Sequence, residues 1–439
     1  MAKTILFEAH NLTLAKGTGI ATYARHLSQA ARRVGYATSA LIGLNANIDL
    51  RDPVLGEIQL YDVPSKQWDV LKRPQLVTDF LAGAPFGIRP FRLPAGGQVI
   101  PPVPGQFSAF DETLAAPYLF ERARWHFKRW GRFASLKLAE TPALFHATHP
   151  TALKVVGCPN IVTIHDIVPL RLPYATLDDK KLLLNMLRAL CREADHIVTV
   201  SEFSRRDIIS YFGISEDRIT NTYQSVSAPA AFAERTDDEV DADLRNAFDL
   251  GLRDYFLFFG AIEPKKNIGR LVDAYAASGV KSPLVIAGAL GWQYETDVER
   301  IEDERFTRFQ IEGGSISKQK RVRRLPYVPY AQLISLIKGA RAVVFPSIYE
   351  GFGLPVLEAM SLGTPVICSN VSSLPEVAGD AALLVDPMDT QALSRAIRAV
   401  DADADLRAEL SKRGREQAKL FSPEKYAERM EALYKRILN

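Results

Sequence analysis

Short apolar runs recur along the whole chain, with helical patterns between them. In the first half they are KTILFEA (3–9), ATSALIGL (37–44), ALFHAT (143–148), NIVTIHDI (160–167) and HIVTVS (196–201). In the second half they are YFLFFGAI (255–262), SPLVIAGAL (282–290), ARAVVFPS (340–347), TPVICS (364–369) and AALLVDP (381–387). Continuously apolar strands belong to parallel sheets that helices cover on both faces. The pattern predicts an α/β protein of doubly wound sheets, whose ligands bind at the carboxyl ends of the strands.

A chain of 439 residues is too long for one core, so two domains are expected. The acidic stretch SAPAAFAERTDDEVDADLRNAFDLG (227–251) separates the two groups of runs and reads as the linker. It sets one domain over 1–235 and a second over 236–419. The last stretch, SPEKYAERMEALYKRILN (422–439), reads as a helix: Ser422 caps it, Pro423 suits its first turn, and Tyr426, Met430, Leu433, Tyr434 and Ile437 form one apolar stripe. The segment 45–115, rich in Pro and Gly, reads as an insertion with long loops.

A net charge of +3 is too balanced for a dedicated nucleic-acid binder. Cys158, Cys191 and Cys368 lie far apart, as expected of reduced thiols rather than a disulfide frame or a zinc site. The start, MAKTILFEAHNLTL, reads as a buried strand and not a signal peptide. No apolar stretch approaches the roughly 20 residues of a membrane span. The expected location is the cytoplasm, at most at the inner face of the membrane.

The stretch YEGFGLPVLEAM (349–360) is the richest in chemistry. It follows a strand, and Pro355 suits the first turn of a helix, which leaves Glu350 in a loop and puts Glu358 one turn into the helix. Helical side chains lean towards the helix start, so Glu358 reaches back over Gly351 and Gly353. The glycines let a ligand approach the backbone, and the amides at the helix start attract anions. Amides beside two carboxylates suit a nucleotide sugar, which offers a diphosphate and many hydroxyls. Glu358 as a plain dipole partner beside an ordinary turn is the alternative; the strand-loop-Gly-x-Gly-Pro-helix context favours function.

The longer block FPSIYEGFGLPVLEAMSLGTPVICSNVSSLPEVAGDAALLVDP (345–387) resembles family 4 of the retaining glycosyltransferases, proteins of the GT-B fold marked by two glutamates with seven residues between them. The resemblance extends to FFGAIEPKKNIGRLVDAY (258–275), LVIAGALGW (284–292), YVPYAQLISLIKGARAVVFPS (327–347), GTGIATYARHL (17–27), VTIHDIVPL (162–170) and VTVSEFSRRDI (198–208). It implies two Rossmann-like domains facing across a cleft, the first on the acceptor side and the second binding the donor. The helix near 420–439 would pack back on the first.

Residue by residue, the resemblance implies that Glu350 contacts the donor sugar near the reacting carbon. His165 would lie near that sugar, with Asp166 orienting it or contacting the acceptor. Glu358 would bind the ribose, the amides of Gly351, Phe352, Gly353 and Leu354 the sugar and phosphate oxygens, and Lys266 the diphosphate. The main chain of Val328 would meet the base, and Gly19 would approach the leaving phosphate. The implied reaction needs no metal and no cofactor. It moves a hexose, best read as mannose from GDP-mannose, to a saccharide or lipid-linked saccharide of a bacterial surface polysaccharide, with retention and with the departing phosphate oxygen taking the acceptor's proton.

A UDP-sugar donor and a non-catalytic sugar-binding protein are the alternatives. A dinucleotide-dependent oxidoreductase is disfavoured because KGTGIA lacks the full GxGxxG pattern. The chain departs from the family in three places. Ala261 and Ile262 stand where an arginine is common, with Arg270 or KQKRVRR (318–324) as substitute cations; YQSV (223–226) replaces NGV; Pro326 replaces a glycine.

The stretch FERARWHFKRWGRFASLKL (120–138) places most of its cations on one arc of a helical wheel. Such a helix can lie on anionic lipid, or pack its apolar face inward with solvated cations outside.

Overall fold

The computed structural model describes residues 3–13, 19–44, 52–61, 87–93, 99, 108–226, 229–312 and 315–439. Gly17 and most of the segment 45–115 lie outside the described residues.

The first half supplies β1 (Thr4–Glu8), β2 (Ala37–Leu44), β3 (Phe91–Arg92), β4 (Glu112–Pro117), β5 (Ala134–Leu136), β6 (Leu144–Ala147), β7 (Leu153–Val155), β8 (Asn160–Thr163), β9 (His196–Thr199) and β10 (Ile219–Asn221). Eight of these form one sheet in the order β10-β9-β8-β6-β1-β2-β4-β3, parallel except where β3 meets β4. The second half supplies β11 (Phe256–Phe259), β12 (Leu284–Ala287), β13 (Thr307–Glu312), β14 (Ser315–Lys320), β15 (Val322–Leu325), β16 (Ala342–Phe345), β17 (Val366–Ser369) and β18 (Ala382–Val385). Six of them form a parallel sheet in the order β15-β12-β11-β16-β17-β18. Central strands such as FLFF of β11 and AVVF of β16 are buried at every position, as two-sided helix cover requires.

Each sheet has one place where the chain turns to build outward in the other direction. In the first sheet it lies between β1 and β6, in the second between β11 and β16. Loops leaving two such neighbours diverge to opposite faces and open a crevice at their carboxyl ends. That topology decides where functional side chains can meet.

The helices that matter below are α1 (Gly19–Arg33), α2 (Leu119–Trp130), α3 (Glu202–Phe212), α4 (Leu354–Ser361) and α5 (Pro423–Leu438). The stripe of α5 is buried at Tyr426, Met430, Leu433 and Tyr434. This helix leaves the second half and lies on the first: the Tyr434 hydroxyl meets His146 Nδ1 at 2.9 Å, the Tyr434 ring crosses Tyr36, and Arg33 pairs with Glu424 at 2.7 Å.

The basic stretch does not form one helix over 120–138. α2 stops at Trp130 because Gly131 takes a left-handed conformation, φ 66°, and its amide closes on the Phe127 carbonyl. Phe133 and Ala134 then enter the core, with Phe133 stacked on Phe127 at 5.5 Å. Among the described residues, no helix is long and apolar enough to cross a membrane.

Candidate functional site

β11 and β16 are neighbours, so the turn after one and the loop after the other converge. The turn Pro264–Lys266 carries two lysines, and the Ile348 amide bonds the Lys265 carbonyl at 2.8 Å, tying turn to loop. Glu350 lies on that loop. Its amide donates to Ser372 Oγ at 3.1 Å, and Ser373 Oγ donates to the carbonyls of Glu350 and Phe352 at 2.9 and 2.7 Å. The loop is therefore pinned on both sides of the glutamate.

Glycine is required at two points here. Gly353 has φ 116°, outside the range of ordinary side chains, and begins α4. At Gly351 a Cβ would lie 2.7 Å from Asp166 Oδ2 and 2.9 Å from the His165 carbonyl oxygen. The two domains touch at that point.

Lys266 Nζ donates to Glu350 Oε1 at 2.7 Å, and both residues are buried, at 8% and 6% exposure. Burial alone would raise the Glu350 pKa. The charges of Lys266 and Lys265 outweigh it and hold the carboxyl below the usual carboxylate range. Lys265 also faces the site, mostly withdrawn from water. Burial opposes its charge, but Glu350, Asp166 and Glu263 together keep its pKa above the ordinary lysine value. Its nearest carboxylate, Glu263, is 3.5 Å away.

Glu358, on α4, has its pKa pushed up to about 7 by burial. Tyr330 lies nearby: burial and then the Glu358 charge raise its hydroxyl.

From the other domain, His165 donates from Nε2 to the Thr148 carbonyl at 2.9 Å, and the Tyr23 ring packs edge-on at 4.7 Å. Burial lowers its pKa, which favours the neutral ring. Asp166 Oδ1 accepts from the Val168 amide at 3.0 Å. Asp166 thus does not hold the imidazole; the Thr148 carbonyl does, and Asp166 turns towards Gly351. Gly19 opens α1 opposite Leu354, with a notional Cβ 3.8 Å from Leu354 Cδ1.

A cavity of about 920 Å³ runs between the domains and is lined by Gly19, His165, Asp166, Lys266, Glu350, Gly351, Phe352, Gly353, Leu354 and Glu358 together. Val328 is not in its wall: it sits half-buried in the loop after β15, next to the exposed Tyr327. The cavity also takes in Lys265, Gln224, His10, His149, Phe120 and Arg124, none of which the motif reading singled out as site residues.

The substitute cation is a correction. Arg270 is bonded to Asn267 Oδ1 at 2.9 Å, and Arg323 and Arg324 donate to the Asp249 carbonyl and to Glu302. None of them lines the cavity, whereas Lys265 does. Its signal was present in the doubled lysine of EPKKN, but which lysine faces the cleft depends on the turn. Of the remaining departures, Ala261 and Pro326 are exposed. Tyr223 adopts φ 58°, packs on Phe421 at 5.3 Å and lies under the Arg429 guanidinium at 5.0 Å, which stiffens the junction of the domains.

Further contacts bind the domains in this arrangement. Glu376 accepts from the amides of Glu202 and Phe203 at 3.0 and 3.1 Å, capping α3 across the gap. Ser204 Oγ donates to the Gly351 carbonyl at 3.1 Å, and the Tyr349 hydroxyl donates to Asp207, which also pairs with Arg171.

Residues 245–417 match the family model described as Glycosyl transferases group 1, and residues 100–226 match that of Glycosyltransferase Family 4. Over 267 residues the chain is 40% identical to O-antigen chain mannosyltransferase B of Escherichia coli, covering 60% of this chain and 66% of that protein. Over 269 residues it is 30% identical to serotype-specific mannosyltransferase WbdA of Escherichia coli, covering 60% of this chain and 31% of that protein. The chain thus spans less than two thirds of the length of these relatives. Among solved structures, sucrose-phosphate synthase of Thermosynechococcus elongatus superposes with TM-score 0.63 at 19% identity, over 99% of this chain and 98% of that one. Anabaena HepE in complex with UDP and glucose does so with TM-score 0.63 at 16% identity, over 99% and 100%. At such identities the likeness shows the fold alone, the paired facing domains of GT-B.

Proposed function

We propose, for a chain that belongs to the family 4 glycosyltransferases, that it moves mannose from GDP-mannose to a saccharide acceptor of a surface polysaccharide, with retention at the anomeric carbon. The observation that carries the donor half is the convergence of Lys265, Lys266 and Glu350 on the loop that opens α4. A diphosphate placed there meets two ammonium groups and the amides of a helix start. The Lys266–Glu350 pair gives each charge a partner before a donor binds, so Lys266 is held ready.

In the proposed reaction the bond between the anomeric carbon and the diphosphate oxygen breaks, and the acceptor oxygen forms the new bond on the same face. The acceptor's proton passes to the departing phosphate oxygen. Negative charge grows on the diphosphate, where Lys265, Lys266 and the loop amides stabilise it without reorganising. Glu350 lies beside the developing positive charge of the sugar and favours it electrostatically. Glu358 holds the ribose hydroxyls, and His165, neutral and fixed by Thr148, lines the sugar pocket. The chemistry so described uses side chains and amides alone, so we propose that no metal and no cofactor takes part. The mannose assignment follows the names of the Escherichia coli relatives.

The acceptor is proposed to be a saccharide, free or lipid-linked, met at the inner face of the membrane. Lys128, Arg129, Trp130 and Arg132 are exposed at the end of α2 and suit contact with anionic lipid. Co-sedimentation with phosphatidylglycerol vesicles at low salt is expected, and its absence would rule this contact out.

The deciding experiment is calorimetric titration with GDP-mannose, GDP, UDP-glucose and UDP, followed by proton NMR of the transfer product. Preference for the guanine nucleotides and an α-linked product are expected. Preference for uridine nucleotides would replace mannose as the donor sugar; inversion at the anomeric carbon would reject the same-face route.

A further inference from the structure

The second sheet's crevice accounts for the donor loops. The first sheet has a crevice of its own, between β1 and β6, and it faces the same cavity. β1 ends there with Glu8, and the exit of β6 brings Thr148 and His149 beside it, 140 and 141 positions further along the chain. Glu8 is fully buried. Its carboxylate accepts from the His10 amide at 2.6 Å, from Thr148 Oγ1 at 2.7 Å and from His149 Nδ1 at 2.7 Å. A carboxylate withdrawn from water costs several kcal/mol unless so satisfied. Such a group at a strand's carboxyl end needs a reason beyond folding.

His149 and His10 both reach the cavity, and His149 is the one whose ring bonds Glu8. With the Nδ1 proton directed at Glu8, Nε2 is the ring atom left for a ligand. Phe120 lies on the same wall, its ring 4.4 Å from that of His10, and offers an apolar face of the kind on which a pyranose packs. The distance to the donor loop is one layer of residues. His165 bonds the Thr148 carbonyl at 2.9 Å, and the His165 carbonyl lies against Gly351, next to Glu350.

We infer that the Glu8–His149 pair is the acceptor-hydroxyl site of this enzyme: His149 Nε2 hydrogen-bonds a hydroxyl of the acceptor sugar and orients that ring across the cleft from Glu350. The inference rests on the proposed function and supplies a residue for its acceptor half. Glu8 acts as a positioning residue through His149. A carboxylate-backed imidazole is rigid, and a rigid partner reduces the entropy lost in bringing an acceptor hydroxyl into line with the anomeric carbon.

The test uses the full chain with the variants H149A, H149Q and E8Q, GDP-mannose as donor and octyl α-mannobioside as the acceptor probe. Thermal melts identify any variant that fails to fold, and the near-isosteric E8Q and H149Q keep the experiment decisive if H149A does. The expected result is a rise of tenfold or more in the KM for the mannobioside in H149A. Smaller rises are expected in H149Q and E8Q, with the KM for GDP-mannose within twofold of wild type in every variant. An unchanged acceptor KM in all folded variants, or an equal rise in the GDP-mannose KM, would overturn the inference.

Discussion

The two walls of the cleft are built in different ways. On the second domain, the lysine turn and the Glu350–Glu358 loop each belong to a continuous motif, and adjacency of β11 and β16 brings them together. On the first domain, the wall is assembled from isolated residues at the ends of β1, β6 and β8, and its central ion pair joins residues 141 positions apart. Under the proposed function, the first arrangement concentrates charge for a ligand of fixed chemistry, a diphosphate. The second spreads short polar groups over strand ends, where single substitutions can change what is accepted without disturbing the sheet. The difference teaches that donor chemistry and acceptor choice can vary independently in one fold.

The largest effect that would test this contrast is at Glu350. Glu350→Ala leaves Lys266 buried without its partner and removes the carboxylate proposed to lie beside the reacting carbon. Transfer is expected to fall by about 10²–10³, and stability by about 3–5 kcal/mol, read from initial rates and urea melts. Rates within tenfold of wild type would remove Glu350 from the chemistry.

Next is the point where the walls meet. Gly351→Ala places a methyl 2.7 Å from Asp166 Oδ2, so the domains cannot close as they do here. A misplacement of this size is expected to lower kcat by about a hundredfold while GDP still binds the second domain. Equal loss of GDP affinity would show that the walls are not separable.

Lys265→Ala tests the corrected cation. GDP affinity is expected to fall about tenfold, roughly 1.4 kcal/mol, while GMP affinity changes less, both by calorimetry. If neither changes, Lys266 alone serves the diphosphate.

The pH dependence follows from Glu358. Its pKa, raised by burial to about 7, means that the carboxyl carries a proton in mildly acidic solution. The protonated form is the poorer acceptor for ribose hydroxyls, so the KM for the donor should rise several-fold as pH falls through 7, and Glu358→Gln should flatten that profile. The stability contribution has the opposite sign. The folded chain keeps a proton that the unfolded chain releases near 4.5, so this stabilisation is complete below 4.5 and is lost as pH rises through 7.

The smallest effect is expected at the cross-domain cap. Glu376→Gln weakens the hold on the amides of α3 by about 0.3–1 kcal/mol. A modest fall in kcat and a slightly larger radius of gyration by small-angle scattering are expected, and no change in either would make the cap incidental.

What could be read without coordinates followed from local rules. Continuously apolar strands announced parallel sheets, and Gly351, Gly353 and Pro355 between two glutamates dictated a loop and a helix start because few backbone paths fit them. The stripe of α5 specified a helix with one buried face; the surface it would cover came only from the family resemblance. The end of α2 at Gly131 escaped the helical wheel because a wheel counts side-chain periodicity and ignores a glycine free to turn left-handed.

The rest was decided in three dimensions. That Lys265 and not Arg270 lines the cavity depends on how the Pro264–Lys266 turn is tied to Ile348. That Glu8 meets His149 depends on β1 and β6 being neighbours, although β2 follows β1 in the chain. Local sequence determines conformation through steric and periodic rules that act over a few residues. Strand order brings distant residues together through burial summed over the whole core, and no short window of sequence contains that sum.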